Sequence, residues 1–327
     1  MSVSPPARPG IEFVDVRKRY GAQPVLQGVS FQVQPGEIVG LLGPNGCGKT
    51  TTLRLIAGFL SPDTGAVRVC GQTVGAGSLA ARRHIGYLPE KPPLYDALRV
   101  ADYLDFVAAA KGLRGPARRH AVDQAMADYA LTGVARKIIG TLSKGYRQRV
   151  GLAQATLANP EVLLLDEATN GLDAVQMVEA RHLIRAGSQG RAVLFCSHLM
   201  QEVAALCDRV LVLHQGRTVA LGDAAPTPQL DVRLAGLSVA DATALLAAVP
   251  GISAVHCRQD TDAGGSLLCH CTSASPQVAD ALARAVLARG QLLALQVHRA
   301  SLEDRFIAAM QRETESATAT ATATATP

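Results

Sequence analysis

The sequence predicts an α/β protein in two parts: a largely parallel sheet with helices on both faces, then a small ferredoxin-like unit. Three observations predict it. Short aliphatic runs, IVGLLG (38–43), VLLLD (162–166) and AVLFCS (192–197), alternate with helix-period segments from Ile11 to about Gly222. Runs that are apolar on both faces are what strands inside a covered sheet require. A Gly-x-x-x-x-Gly-Lys-Thr loop follows the first run directly. Beyond the proline-bearing stretch DAAPTPQ (223–229) the rhythm changes to strand, helix, two strands, helix, strand.

The 327 residues, at roughly 150 per domain, suit two domains. The boundaries expected are 1–225 for the larger domain, 226–310 for the smaller, and 311–327 for a disordered Ala-Thr tail. With 48% apolar and 18% charged residues, a mainly disordered chain is excluded. Aromatics are 4%, Trp is absent, and the net charge of +5 contains no arginine-rich run. Binding to nucleic acid through stacked aromatics or a basic tail is therefore not expected. No stretch approaches the ~18 apolar residues of a spanning helix, and MSVSPPARPG lacks the apolar core of a signal peptide. The seven cysteines then read as reduced thiols of a cytosolic protein.

In chain order, the Pro-rich residues 1–10 are expected to be loose. IVGLL is a strand, and TTLRLIAGFL after the glycine loop is a helix. VLLLD and AVLFCS are two more buried strands. In the smaller part, LDVRLAG (230–236) alternates as a half-buried strand. Ser238 N-caps a helix that places Val239, Ala242, Leu245 and Leu246 on one face. SAVHCR and SLLCHC flank the turn-forming DTDAGG (260–265) as a hairpin. PQVADALARAVLARG is a helix closed by Gly290, and QLLALQVH is the last strand. The order is that of a ferredoxin-like unit. Ser301 caps a final helix with Leu302 and Phe306 on one face, and the tail from Ser316 is low in complexity. The hairpin also carries His256, Cys257, Cys269, His270 and Cys271. Alternation puts Cys269 and Cys271 on one face and His270 on the other. With no C-x-x-C pair, buried thiols and a surface histidine are a better reading than a soft-metal site.

Gly43-Pro44-Asn45-Gly46-Cys47-Gly48-Lys49-Thr50 stands between a strand and a helix, the context in which such a loop cradles phosphates. Glycines let successive N–H groups turn toward an anion, and the helix N-terminus adds partial positive charge. Lys49 can bridge β- and γ-phosphates, and the Thr50 hydroxyl can ligate Mg²⁺. The same field favours thiolate at Cys47, so a maleimide-sensitive Cys47 is expected. Asp166 ends a buried strand at the sheet edge where α/β proteins bind ligands. Glu167 follows it and can polarise an attacking water.

At this point the residues resemble those of ATP-binding-cassette (ABC) proteins. LSKGYRQR (142–149) looks like that family's signature, His198 like its switch histidine, Asn170-Gly171-Leu172-Asp173 like its D-loop, and Tyr20 like its adenine-stacking aromatic. The elements stand in family order over about 220 residues. The resemblance implies a P-loop NTPase ABC nucleotide-binding domain with a helical signature subdomain. By the same resemblance, ATP is held by Tyr20, Gly43, Pro44, Asn45, Gly46, Cys47, Gly48, Lys49, Thr50, Thr51 and Glu90. Mg²⁺ is held by Thr50, Asp166 and Glu90. Glu167 is the general base, and His198 contacts the γ-phosphate. Ser143, Lys144, Gly145 and Gln148 complete the site from the opposite subunit, with Asp173 in the D-loop.

Three positions depart from the family pattern. Glu90 replaces the lid-loop glutamine, and Ala168 and Ala174 replace prolines. The first puts an extra carboxylate beside the γ-phosphate, so slower hydrolysis or a stronger Mg²⁺ requirement is expected. IGYLPE…PPLYDALRVADYLDF (85–106) is similar to ATPase subunits of type-2 ABC exporters, and among them to the gliding-motility ATP-binding subunit. The resemblance implies an ATP-hydrolysing subunit that closes head-to-tail with a second copy. It would power a separate transmembrane permease from the cytoplasmic face, with export the expected direction, and segment 91–140 would be the helical arm that docks it. The alternative is a soluble cassette ATPase acting on ribosomes or DNA without a permease. The single phosphate loop, and the lack of room for a coiled-coil insertion, argue against it.

Overall fold

The computed structural model describes residues 8–75, 78–219, 229–259, 266–273, 275 and 278–298. The expected boundary at 225/226, most of the linker, the 260–265 turn, the final helix and the Ala-Thr tail lie outside the described residues. The chain divides into two compact units, Met1–Ala220 and Leu221–Pro327.

The first unit opens with β1 (Ile11–Tyr20), β2 (Gln23–Val33) and β3 (Ile38–Leu42), then α1 (Lys49–Ile56), β4 (Thr64–Val69), β5 (Gln72–Thr73), α2 (Leu79–Arg82) and β6 (Ile85–Leu88). The helical arm follows as α3 (Val100–Ala110) and α4 (Gly115–Asp128), and α5 (Lys144–Thr156) comes after it. β7 (Val162–Asp166), α6 (Ala174–Gly187), β8 (Ala192–Ser197), α7 (Met200–Leu206), β9 (Arg209–His214) and β10 (Arg217–Val219) complete it.

Six strands form one sheet in the order β10-β9-β3-β8-β7-β6. All its pairings are parallel except the β9–β10 hairpin. Every residue of β3, β7 and β8 is buried, as their two-sided apolar sequences require. The β9–β10 turn uses positive φ at Gln215 (46°) and Gly216 (75°), the hairpin geometry that matches strand twist. A second sheet, β2-β1-β4-β5, is antiparallel and was not legible in the sequence. Its irregular register, with Asp15 at φ 43°, blurs the two-residue period. Phe13 and Phe31 stack there with centroids 4.8 Å apart. Both join a core shared by α1 and the larger sheet, which includes Leu53, Ile56, Leu164 and Leu194.

The arm packs on α5. Tyr103 of α3 donates its hydroxyl to Gln154. Lys111 closes the end of α5, its Nζ donating to the carbonyls of Gln154 (2.9 Å), Ala155 (3.2 Å) and Leu157 (2.9 Å). A cation there complements the negative end of the helix. The α5 backbone also runs directly against β6, because a Cβ on Gly86 would collide with the Ala155 carbonyl.

The second unit contains β11 (Gln229–Ala235), α8 (Val239–Ala247), β12 (Ile252–Gln259), β13 (Ser266–Ser273), α9 (Val278–Leu287) and β14 (Gln291–His298). Its sheet order β12-β13-β11-β14, antiparallel throughout, is the expected ferredoxin-like topology. Leu230, Val232, Leu234, Cys269 and Cys271 face Ala242, Leu246, Leu282 and Val286 in one core. Ser238 accepts the Asp241 N–H at 3.1 Å, the expected N-cap. Val239, the first helical residue, is 38% exposed at the end of that face. One expectation is corrected. Cys257 and Cys269 form a disulfide between β12 and β13, so the cysteines are not all reduced. They are direct cross-strand partners with Cα atoms 4.0 Å apart, the close pairing of non-hydrogen-bonded positions in an antiparallel ladder. His270 is exposed on the other face, with Nδ1 2.6 Å from Asp231 Oδ1.

Candidate functional site

β3, β8 and β7 are consecutive neighbours in the parallel sheet, so the segments leaving their C-terminal ends converge. The loop 43–48 leaves β3, His198 follows β8, and Asp166 ends β7. Gly46 and Gly48 adopt φ of 81° and 115°, which side-chain-bearing residues avoid. A Cβ on Gly48 would also press on Leu26 at 2.7 Å. Lys49 is buried, and its Nζ donates to the carbonyls of Gly43 (2.6 Å) and Pro44 (3.1 Å). The cation is thus held at the mouth of its own loop.

Asn45, Gly46, Gly48, Lys49, Thr50, Thr51, Glu90, Asp166 and Glu167 line a cavity of about 270 Å³ together with Val25. The Thr50 hydroxyl donates to Asp166 Oδ2 at 3.4 Å. Burial, and then the neighbouring charges of Glu167 and Glu90, push the Asp166 carboxyl up to about 6, against the opposing Thr50 hydrogen bond and Lys49 charge. Three carboxylates and a hydroxyl around one cavity, their repulsion only partly offset by Lys49, form the oxygen-donor set that a hard divalent cation takes.

Glu167 sits at φ 50°, an uncommon conformation for a residue with a side chain. It is held there by its N–H, which donates to the Cys196 carbonyl of β8 at 2.9 Å. Its Oε1 and Oε2 lie 2.8 and 2.9 Å from His198 Nδ1. The predicted base and the predicted switch histidine are thus in contact, although 31 residues separate them.

Cys47 requires a correction. It is buried in the same core cluster as Leu213 and Val39. Burial raises its thiol pKa, outweighing the lowering by Lys49 and the loop amides. The expected thiolate is therefore not favoured. Tyr20 ends β1, 45% exposed, and does not line the cavity; Val25 of β2 does, and it carries no sequence signal.

The signature residues lie elsewhere on this chain. Ser143 N-caps α5, accepting the Tyr146 N–H at 3.5 Å. Ser143, Gly145 and Gln148 line a second cavity of about 250 Å³ with residues of α6, and it shares no lining residue with the first. A Cβ on Gly145 would meet Gln176 Oε1 at 2.9 Å, and one on Gly171 would collide with the Lys144 ammonium. Asp173 N-caps α6, accepting from Gln176 N–H at 2.9 Å. Gln148 is buried and donates its amide N–H to the Ala168 carbonyl at 2.7 Å. The signature helix is therefore tied to the segment that follows Glu167. Ser197 and Glu202, on either side of His198 in the chain, are both buried and belong to no motif that the sequence displays.

Comparison with known proteins bears on the family and the fold. The sequence profile described as ABC transporter matches residues 26–170. Nod factor export ATP-binding protein I of Burkholderia pseudomallei (strain 1710b) is 40% identical over 227 residues, covering 68% of this chain and 72% of that protein. The uncharacterized ABC transporter ATP-binding protein YhcH of Bacillus subtilis (strain 168) is 37% identical, covering 64% and 68%. Among solved structures, an ATP-binding subunit of an ABC transporter superposes with TM-score 0.59 at 31% identity, covering 64% of this chain and 88% of that one. CbiO1 from Clostridium perfringens, part of the ABC transporter complex cbiONQ, superposes with TM-score 0.61 at 26% identity, covering 65% and 87%. None of these relatives is named for gliding motility. Among the described residues, no helix is long and apolar enough to cross a membrane. The chain belongs to the ABC transporter ATP-binding subunits, a family of ATPases whose hydrolysis is coupled to transport.

Proposed function

We propose that this chain hydrolyses Mg·ATP as one half of a head-to-tail dimer and drives a separate permease of an exporter. The observation that carries the reading is the convergence of the Lys49 loop, Asp166 and Glu167 on one cavity, with His198 in contact with Glu167. The glycine loop and Lys49 bind the phosphates of the substrate, Lys49 exchanging its two backbone carbonyls for phosphate oxygens. Thr50, Asp166 and Glu90 would hold Mg²⁺, which would supply neutralisation of the phosphate charge. Glu167 accepts a proton as water attacks the γ-phosphorus and the bond to ADP breaks. His198 orients that carboxylate and senses loss of the γ-phosphate. Tyr20 offers a face to adenine, and Glu90 in the lid position slows the reaction or sharpens its need for Mg²⁺.

The separation of the Ser143–Gly145 cavity from the phosphate cavity favours completion of each site by a second copy. Export is supported by the names of the Nod factor export relatives, and a membrane partner by the complex that contains cbiO1. The helical arm within 91–140 is the proposed docking element, which makes the chain a peripheral protein of the cytoplasmic membrane face. Residues 226–310 form an accessory domain that regulates or stabilises the assembly. The test is Glu167→Gln: ATP binding should persist while hydrolysis falls by about 10²- to 10⁴-fold. Hydrolysis at the wild-type rate would remove Glu167 from the role of base.

A further inference from the structure

Glu202 is 2% exposed and Ser197 fully buried, and neither takes part in the mechanism above. The Ser197 hydroxyl donates to Glu202 Oε2 at 2.9 Å, and Ser197 Oγ itself accepts the Leu199 N–H at 3.0 Å. The Glu202 N–H returns to the Leu199 carbonyl at 3.2 Å. These bonds close a small ring that fixes the residues on either side of His198. Glu202 Oε1 has no hydrogen-bond partner among the described residues. A buried carboxylate with an unmatched oxygen is costly, and Ala or Leu at that turn of α7 would avoid the cost. The His198 side chain is 38% exposed, so little packing sets its ring direction. Backbone placement must do so.

We propose that Glu202 is a positioning residue that, through Ser197, aims His198 Nδ1 at Glu167. This rests on the roles proposed above for Glu167 and His198. A hydroxyl bonded to a fixed carboxylate cannot rotate freely, so its lone pair stays on the Leu199 N–H and the turn keeps one shape. Without Glu202 the hydroxyl can turn away and the imidazole loses its fixed approach to Glu167. Displacements of this kind cost rate more than binding.

The test uses the full chain. Glu202→Ala and Ser197→Ala should each lower kcat for ATP about tenfold or more and leave KM within about twofold, the signature of an interaction made in the transition state. Glu202→Gln, whose carbonyl still accepts the serine hydroxyl, should recover most of the rate. Imidazole ¹⁵N spectra should show that His198 loses its hydrogen-bonded Nδ1 signal in the two alanine variants and regains it in Glu202→Gln. Ser197→Ala removes one oxygen atom and keeps the test open if Glu202→Ala does not fold. Unchanged kcat in the folded variants, or a lower kcat with the His198 signal unmoved, overturns the proposal. His198→Ala separates the two levels. If it hydrolyses ATP normally, the role of His198 falls and this inference with it. If it is inactive while both alanine variants work at the wild-type rate, only the Glu202 inference falls.

Discussion

At the scale of single residues, the site is a concentration of negative charge that is unfavourable without a cation. Burial, and then the charges of Glu167 and Glu90, push the Asp166 carboxyl up from its ordinary 3.8 to about 6. The folded pKa lies above the unfolded one, so the folded state holds the proton more tightly. The stability penalty therefore grows as pH rises from about 4 to about 6 and is complete above that. Asp166→Asn should stabilise the nucleotide-free protein at pH 7 by roughly 1–3 kcal/mol, although it should lose Mg²⁺-dependent hydrolysis. Thermal melts at pH 7 and pH 4.5 check this, and the advantage of the variant should shrink at the lower pH. Cys47 carries a second expectation. Its buried thiol with a raised pKa should react with maleimide slowly in the native protein and quickly after denaturation. Rapid native labelling at Cys47 would show the loop opening. Asp166 and Glu167 were legible because strand end, acid pair and glycine loop each have a sequence pattern. The direction of Cys47 was not, because a helix N-terminus and an inward-facing wall favour opposite protonation states, and only packing decides between them.

At the scale of elements, the strands that hold the site were readable wherever both faces are buried, as in β3, β7 and β8. The antiparallel sheet was not readable, since its strands mix exposed and buried residues around bulges. Gln148 shows a further limit: its place in a signature-like run gives no sign that its amide is bonded to the Ala168 carbonyl. Such a contact depends on how α5 packs on β6, which no local spacing encodes. Gly86 fixes that packing, because a side chain there meets the α5 backbone. Gly86→Ala should destabilise the first unit by about 1–3 kcal/mol through overpacking, measured by urea unfolding. It should also slow hydrolysis by shifting α5 and, with it, the Gln148–Ala168 tie.

At the scale of the whole molecule, the two units have separate cores, and the proposed nucleotide residues all lie in the first. A chain shortened at residue 225 should still bind ATP, which equilibrium titration with a fluorescent ATP analogue measures. The larger claim is that one ATP site is built from two chains. Asn45 lines the phosphate cavity and Ser143 the separate signature cavity. The direct measurement is oxidative crosslinking of a chain carrying Asn45→Cys and Ser143→Cys, with Glu167→Gln to retain ATP. A covalent species of twice the 34.1 kDa chain mass should form with Mg·ATP and disappear without nucleotide. Failure to form it, in folded protein shown to bind ATP, would contradict the two-chain site.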